Sequence, residues 1–449
     1  MKAKKAYKFL NKEFLLIIIF AIILRLIFLI RDQSFWWDEA VYLSMADAFS
    51  GNFYFFEYFR PPLLSFLLSV LQATSLWAAK LFSTMISIFT IVVAYYFSKK
   101  IWDKEKAILI TFFFAINHFA LLYSVKALAE SLTIFLLTLI IFIFYLGFRN
   151  NSKALMALSG FLIGLALMTR HLSAYIVFPI LLFAIIAEKI RFLKDPKYYL
   201  LAFSVLVAMS PWLIFNYLEF GNPFWPQVVN AEMGVSEPWF FYFLSLPLFL
   251  SIQAIMILFA IPSIKRDRLV LLNFMILAIG FFVLSIISHK EIRYLVAILP
   301  SIIVLEGIGL HNLISKYKIS FESCTRAVYI LLVLFSVYLF LFLPVQKEDT
   351  LYQCAEKINA MSNETMSTTM SPFFSYLLKR PFSQLPWSAD EFSCQNLLGS
   401  GVNYTVYYSR GWYYPLEDDF MNKTRDCTVL LYNITNNQKC LIYKIVNQS

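Results

Sequence analysis

Apolar runs of roughly 17–25 residues, each long enough to cross a hydrocarbon core, recur from Phe14 to Pro344 with short basic or polar breaks between them. About eleven are present, over residues 14–30, 76–98, 107–123, 131–148, 154–169, 172–188, 198–216, 239–262, 269–288, 294–312 and 327–344. The pattern predicts a polytopic α-helical membrane protein. Past Pro344 it changes: residues 404–408, 428–432 and 440–445 alternate apolar and polar side chains, with turn-forming residues between them. That alternation predicts a small α/β or β-rich domain over 345–449, following a transmembrane module over 1–344.

Lysine and arginine fall unevenly on alternate breaks, and short loops rich in positive charge stay cytoplasmic. With the N-terminus inside, the inner side collects Lys2, Lys4, Lys99, Lys100, Arg191, Lys194, Lys265 and Arg266 among others, while the outer loops hold few cations. The net charge of +10 is thereby explained as topology, and no nucleic-acid partner is required. The first run lacks a small-residue cleavage site and reads as a retained span. An odd number of crossings places the C-terminal domain outside.

Two features of the tail agree with that placement. Asn363, Asn403, Asn422, Asn433 and Asn447 each begin an N-x-Ser/Thr glycosylation acceptor. Of five cysteines, four (Cys354, Cys394, Cys427 and Cys440) lie in the tail, enough for two disulfides in an oxidising compartment, with the pairing open and free thiols as the alternative. Composition adds little beyond this: 60% of the residues are hydrophobic and 15% charged, against roughly 25% charged in a soluble domain.

The long outer loop between the first two runs carries Trp36-Trp37-Asp38-Glu39, an amphipathic stretch, an aromatic run and then Arg60-Pro61-Pro62 before further apolar residues. Its helices are too short to span and are expected to lie in the membrane interface. Carboxylates at such a boundary are costly unless paired or used, so Asp38 and Glu39 are either caps of the following helix or chemical groups. On the same outer side lie Arg60, Lys126, Arg170, Lys290 and Arg293. Cations gathered against an apolar groove suit a lipid-linked phosphate, with snorkelling as the alternative for any one of them. Glu130, His171 and His289 lie at the same level, either as partners of these cations or as ligands of a divalent metal.

These residues, in this order, resemble the GT-C superfamily of polyprenyl-phosphate-dependent glycosyltransferases, in the branch of protein O-mannosyltransferases and lipid A aminoarabinose transferases. Trp37-Asp38-Glu39-Ala40 looks like the family's acidic catalytic motif, and Arg60-Pro61-Pro62-Leu63 like its basic-Pro-Pro-Leu segment. Tyr123-Ser124-Val125-Lys126 through Glu130, Pro211-Trp212, Gly221-Asn222-Pro223 and Arg293-Tyr294-Leu295 match further segments. Phe59 stands where some relatives carry Glu, and Lys126 where an Arg is expected, which leaves Glu57, Glu130 and His289 as the candidates for a divalent metal.

The resemblance implies an inverting transfer of one sugar from a polyprenyl or dolichyl monophosphate to a glycan, protein or lipid hydroxyl on the outer face of the cell membrane. It implies Asp38 as general base with Glu39 beside it, and Arg60, Lys126, Arg170, Lys290, Arg293 and Tyr294 around the donor phosphate. No cofactor is required by it, a divalent metal being the one optional addition. A multi-span lipid or solute transporter is the competing expectation, and the clustering of charge at one edge instead of along a midplane path argues against it.

Overall fold

A computed structural model of the chain describes residues 11–226, 237–249, 252–323, 348–361, 365–385, 393–409, 417–436 and 438–446, with isolated positions between 326 and 334. The expected run over 327–344 lies largely outside these residues, as do the acceptor asparagines Asn363 and Asn447. The chain divides into two compact units. One is built from Met1–Ile30, Tyr58–Leu64 and Lys80–Leu343, the other from Arg31–Glu57, Ser65–Ala79 and Pro344–Ser449.

The first unit is helical. Among the described residues, five helices are long and apolar enough to cross a membrane: Lys12–Arg31, Leu76–Ile101, Ala129–Arg149, Pro196–Phe220 and Arg268–Ile286. A sixth is counted if Lys104–Ile116 and His118–Ser124, bent by 55° at Asn117, are one span. Other apolar runs are divided. The run at 172–188 opens with a 3-10 turn, His171–Ile176, before Val177–Glu188, and the run at 294–312 is a 3-10 turn, Ile292–Ala297, followed by Leu299–Lys316.

Close helix packing is set by glycine. Gly160 and Gly164, one turn apart on Lys153–Thr169, sit against Pro196–Phe220, and a Cβ on either would run into the Leu201 carbonyl or the Ala208 side chain. Gly307 and Gly309 likewise admit the Ile110 backbone and the Met256 carbonyl. In a chain surrounded by lipid, association depends on such close van der Waals approach, because lipid tails are as apolar as the helices.

The bend at Asn117 needs its own hydrogen bonds. A broken helix leaves terminal carbonyls without the amide four residues on, and unsatisfied backbone is expensive in a low-dielectric interior. Asn117 Oδ1 caps the second segment by accepting from the Phe119 and Ala120 amides at 3.1 and 3.0 Å. Fully buried Arg25 serves the first segment, donating to the Ala115 and Phe114 carbonyls at 3.1 and 3.3 Å and to Ser87 Oγ at 2.9 Å.

The second unit contains a five-stranded sheet in the order β2-β1-β3-β5-β4, with β1 Met366–Thr368, β2 Ser383–Gln384, β3 Tyr404–Ser409, β4 Thr428–Thr435 and β5 Lys439–Ile445. β1 runs parallel to β2 and β3, while β5 is antiparallel to both its neighbours, and a bulge lies between Leu430 and Tyr432. The sheet is the small C-terminal domain that the alternation predicts. All four tail cysteines pair: Cys354–Cys440 ties the helix Asp349–Ala360 to β5, and Cys394–Cys427 ties Cys394–Gly399 to the start of β4.

Segments of the first loop belong to this second unit. The helix Trp37–Phe49 packs on Ser371–Leu378; the Phe35 ring meets those of Phe373 and Tyr376 at 5.1 and 5.6 Å, and Lys379 pairs with Asp47 at 2.5 Å. The Tyr376 hydroxyl donates to the Thr74 carbonyl at 2.9 Å.

Replacing Arg25 by Met keeps the bulk and strands the Phe114 and Ala115 carbonyls, at about 1–3 kcal/mol for each buried group left unpaired. Arg25→Met should therefore unfold markedly earlier than the wild type in a thermal melt in detergent. An unchanged melting temperature would show that the bend does not depend on the guanidinium.

Candidate anion-binding and acidic sites

In the second unit, the helix Trp37–Phe49 starts immediately after extended Trp36. Glu39, fully buried at its third position, turns back so that its Oε2 accepts the Trp36 amide at 2.8 Å. This is the reciprocal arm of a capping box, and it also places a negative charge at the positive end of the helix dipole. Of the two openly posed roles, capping is thus filled by Glu39. Asp38, one residue earlier and 9% exposed, is not needed for that hydrogen bond. Glu57 lies in the same unit.

In the first unit, three helix interruptions bring charge together. Glu130 is the second residue of Ala129–Arg149, Arg170 is the residue at which Lys153–Thr169 ends, and Arg293 and Tyr294 lie in the 3-10 turn Ile292–Ala297. Arg170 Nη1 contacts Glu130 Oε1 at 2.6 Å, and that same carboxylate oxygen lies 4.0 Å from Arg293 Nε. Arg293 is held by both oxygens of Glu291, through Nη2 at 2.8 Å and Nε at 2.5 Å. The Arg170 guanidinium stacks over the Tyr294 ring at 4.8 Å, and His289 Nε2 lies 3.1 Å from Glu291 Oε1.

The cluster therefore has two guanidinium groups neutralised by two carboxylates, with aromatic and imidazole rings beside them. Fork-shaped bidentate contact is what guanidinium offers to carboxylate or phosphate alike. Glu130 is almost wholly buried, and a lone buried charge there would cost several kcal/mol.

Arg170, Arg293, Tyr294, Glu130 and His289 are thus assembled. Lys290 is directed elsewhere: its ammonium donates to the Glu237 and Ile287 carbonyls at 2.7 and 2.6 Å. Lys126 is buried just past the bent pair of helices, its amide bonded to the Tyr123 carbonyl. Arg60 acts on His171, which also meets the Phe59 carbonyl through Nε2 at 3.1 Å. Sequence reasoning missed Glu291, although its place two residues before Arg293 was a usable signal.

Among the described residues no three His, Cys, Asp or Glu side chains converge as a metal would require. Glu130 is paired with Arg170, and His289 meets Glu291 and the Tyr294 ring.

Residues 60–215, about a third of the chain, match the family model of dolichyl-phosphate-mannose-protein mannosyltransferases. The structure superimposes on ArnT from Cupriavidus metallidurans bound to undecaprenyl phosphate with a TM-score of 0.74 at 13% identity, covering 97% of this chain and 98% of that one. The chain has the fold of the GT-C glycosyltransferases. The Archaeoglobus fulgidus oligosaccharyltransferase in complex with Zn and sulfate aligns at TM-score 0.59 and 12% identity over 97% of this chain and 73% of that one. The archaeal oligosaccharyltransferase AglB, with an inhibitory peptide and a dolichol-phosphate, aligns at 0.55 and 12% identity over 88% and 69%. No curated protein sequence matches. This chain's resemblance to the GT-C glycosyltransferases of the ArnT and protein-mannosyltransferase branch rests on the family model and the fold together.

Two outcomes test the cluster. Glu130→Gln removes the charge that balances Arg170, at about 3 kcal/mol, and inorganic phosphate should restore more thermal stability to this variant than it adds to the wild type. Equal phosphate responses would mean that Arg170 does not accept an anion. Burial, with Arg60 nearby, depresses the pKa of His171 below its usual 6.5, against the opposing hydrogen bond that the ring makes to the Phe59 carbonyl. The unfolded chain then binds the proton more readily, so stability is full above pH 6.5 and declines as pH falls below it. Denaturant melts between pH 7.5 and about 5 should show that loss, and His171→Gln should reduce it.

Proposed function

We propose that this protein is an inverting glycosyltransferase that moves a single sugar from a polyprenyl or dolichyl monophosphate to an acceptor hydroxyl of a glycan, protein or lipid. The observation that carries the reading is the Arg170–Glu130 and Arg293–Glu291 cluster, an anion-holding arrangement in a fold whose relatives include one bound to undecaprenyl phosphate and one to a dolichol-phosphate. The reading includes about eleven spans with the N-terminus inside and the C-terminus outside, an active site facing the outer side, and the cell membrane as location. The paired tail cysteines and the glycosylation acceptors support that orientation. The expected transmembrane module over 1–344 and outer domain over 345–449 remain part of it.

In the reaction, the Asp38 carboxylate takes the proton of the acceptor hydroxyl as its oxygen attacks the anomeric carbon. A new glycosidic bond forms on one face while the bond to the phosphate oxygen breaks on the other, inverting the configuration. The electron pair leaves with the lipid phosphate, which gains negative charge and needs stabilising cations more than a proton. Arg293 and Arg170, with Tyr294 beneath, take that role, and Arg60, Lys126 and Lys290 add positive potential. Glu39 holds the helix that carries Asp38. A phosphate reaching Arg293 displaces Glu291, which keeps its contact with His289.

Asp38→Asn should fold and insert normally and lower transfer of a radiolabelled polyprenyl-phosphate sugar by about 10²–10⁴-fold. Near-normal turnover would remove Asp38 from the mechanism. Arg293→Ala should raise the donor concentration for half-maximal rate by about 10–100-fold, the worth of a charge-assisted hydrogen bond, while an unchanged dependence would argue against phosphate contact.

A further inference from the structure

Among the described residues, β4, Thr428–Thr435, is an edge strand of the five-stranded sheet. The opposite edge, β2, is two residues long, so β4 is the strand most able to pair with another chain. Its sequence, Thr-Val-Leu-Leu-Tyr-Asn-Ile-Thr, has no charge and no proline, and Val429, Leu430, Leu431 and Tyr432 are all exposed, at 46, 44, 41 and 39%. Uncharged segments of high β-propensity on an edge are aggregation sites that proteins ordinarily blunt with lysine, proline or a bulge. Here the bulge is present and the charges are not.

The strand carries one other device. Asn433-Ile434-Thr435 is a glycosylation acceptor within β4 itself, with Asn433 and Thr435 both exposed and the Thr435 hydroxyl donating to Asn433 Oδ1 at 2.8 Å. Of the other acceptor threonines among the described residues, Thr405 and Thr424 are fully buried, while Thr365 is exposed and its Asn363 lies outside those residues. Asn433 is therefore an acceptor whose whole recognition unit stays on the surface of the folded domain, beside the only long unprotected edge among the described strands.

We infer that Asn433 carries an N-linked glycan and that this glycan shields the β4 edge from pairing with a second copy of the domain. A lipid-linked glycan supplies the sugar: its anomeric carbon bonds to Asn433 Nδ2, the amide gives up a proton, and the lipid phosphate departs with the bonding electron pair. A hydrated glycan on the edge replaces the charges that β4 lacks. The inference rests on the outer placement of the tail and is independent of the transferase reading.

The test uses full-length protein purified from its native membranes as wild type, Thr435→Ala and Thr435→Ser. After reduction and trypsin digestion, the peptide 426–439 holds Asn433 as its one acceptor asparagine. Mass spectrometry should find a glycan on this peptide in wild type and Thr435→Ser, and none in Thr435→Ala. Size-exclusion chromatography should show Thr435→Ala self-associating, and adding Leu430→Lys, which places a charge on the edge, should restore the wild-type profile. An unmodified wild-type peptide would overturn the site. A modified wild type with a Thr435→Ala variant that stays as dispersed as wild type would overturn the shielding. Transfer activity is not the readout, so failure here leaves the proposed reaction untouched and the reverse also holds.

Discussion

A guanidinium held against an apolar interior has to be matched by charge or carbonyl oxygen, and this requirement organises the helical unit. Arg170 and Arg293 are matched by Glu130 and Glu291. Each pair is costly to desolvate and more costly to break, which makes it a poor source of stability and a good device for holding a geometry. The cluster is balanced as it stands, with each arginine presented in a fixed orientation by a carboxylate that a phosphate group chemically resembles. Binding an anion then becomes an exchange of one oxygen pair for another, in which little side-chain entropy remains to be lost.

The same rule explains how the charged residues come to be where helices stop. Interrupted helices expose backbone groups that must find partners, and here side chains provide them: Asn117 and Arg25 around the 55° bend, Glu39 at the start of Trp37–Phe49. Glu130, Arg170 and Arg293 all stand at such ends. Irregular backbone in an apolar chain is tolerated where it is satisfied internally, and such places are where polar chemistry can be housed.

Much of this was legible in the sequence, for identifiable reasons. The apolar runs announce themselves because lipid contact demands length and uniform apolarity, and the strands β3, β4 and β5 because each is a run of six to eight residues rich in Val, Ile, Tyr, Thr and Leu between turn-forming residues. β1 and β2, at three and two residues, are too short to show a period. The bend at Asn117 and the 3-10 turns before Val177 and Leu299 were hidden because uniformly apolar runs have no face to mark a change of helix. The disulfide partners were hidden because pairing depends on the fold of the tail. Of the outer cations, Arg170 and Arg293 entered one cluster while Lys290 turned to backbone carbonyls, a distinction that topology counting cannot make. Asp38 and Glu39, adjacent and chemically alike, separate once Glu39 is seen to bond the Trp36 amide.

If the arginine cluster receives the phosphate of a polyprenyl lipid, as proposed, equilibrium binding of that lipid depends on both the phosphate and Arg170. Native mass spectrometry or a thermal-shift titration of the purified protein would compare a polyprenyl monophosphate with the uncharged polyprenol of the same chain length. The account predicts saturable binding of the phosphate that is weakened by Arg170→Ala, and far weaker binding of the alcohol. Equal affinity for the two lipids, or a phosphate affinity indifferent to Arg170, would contradict it.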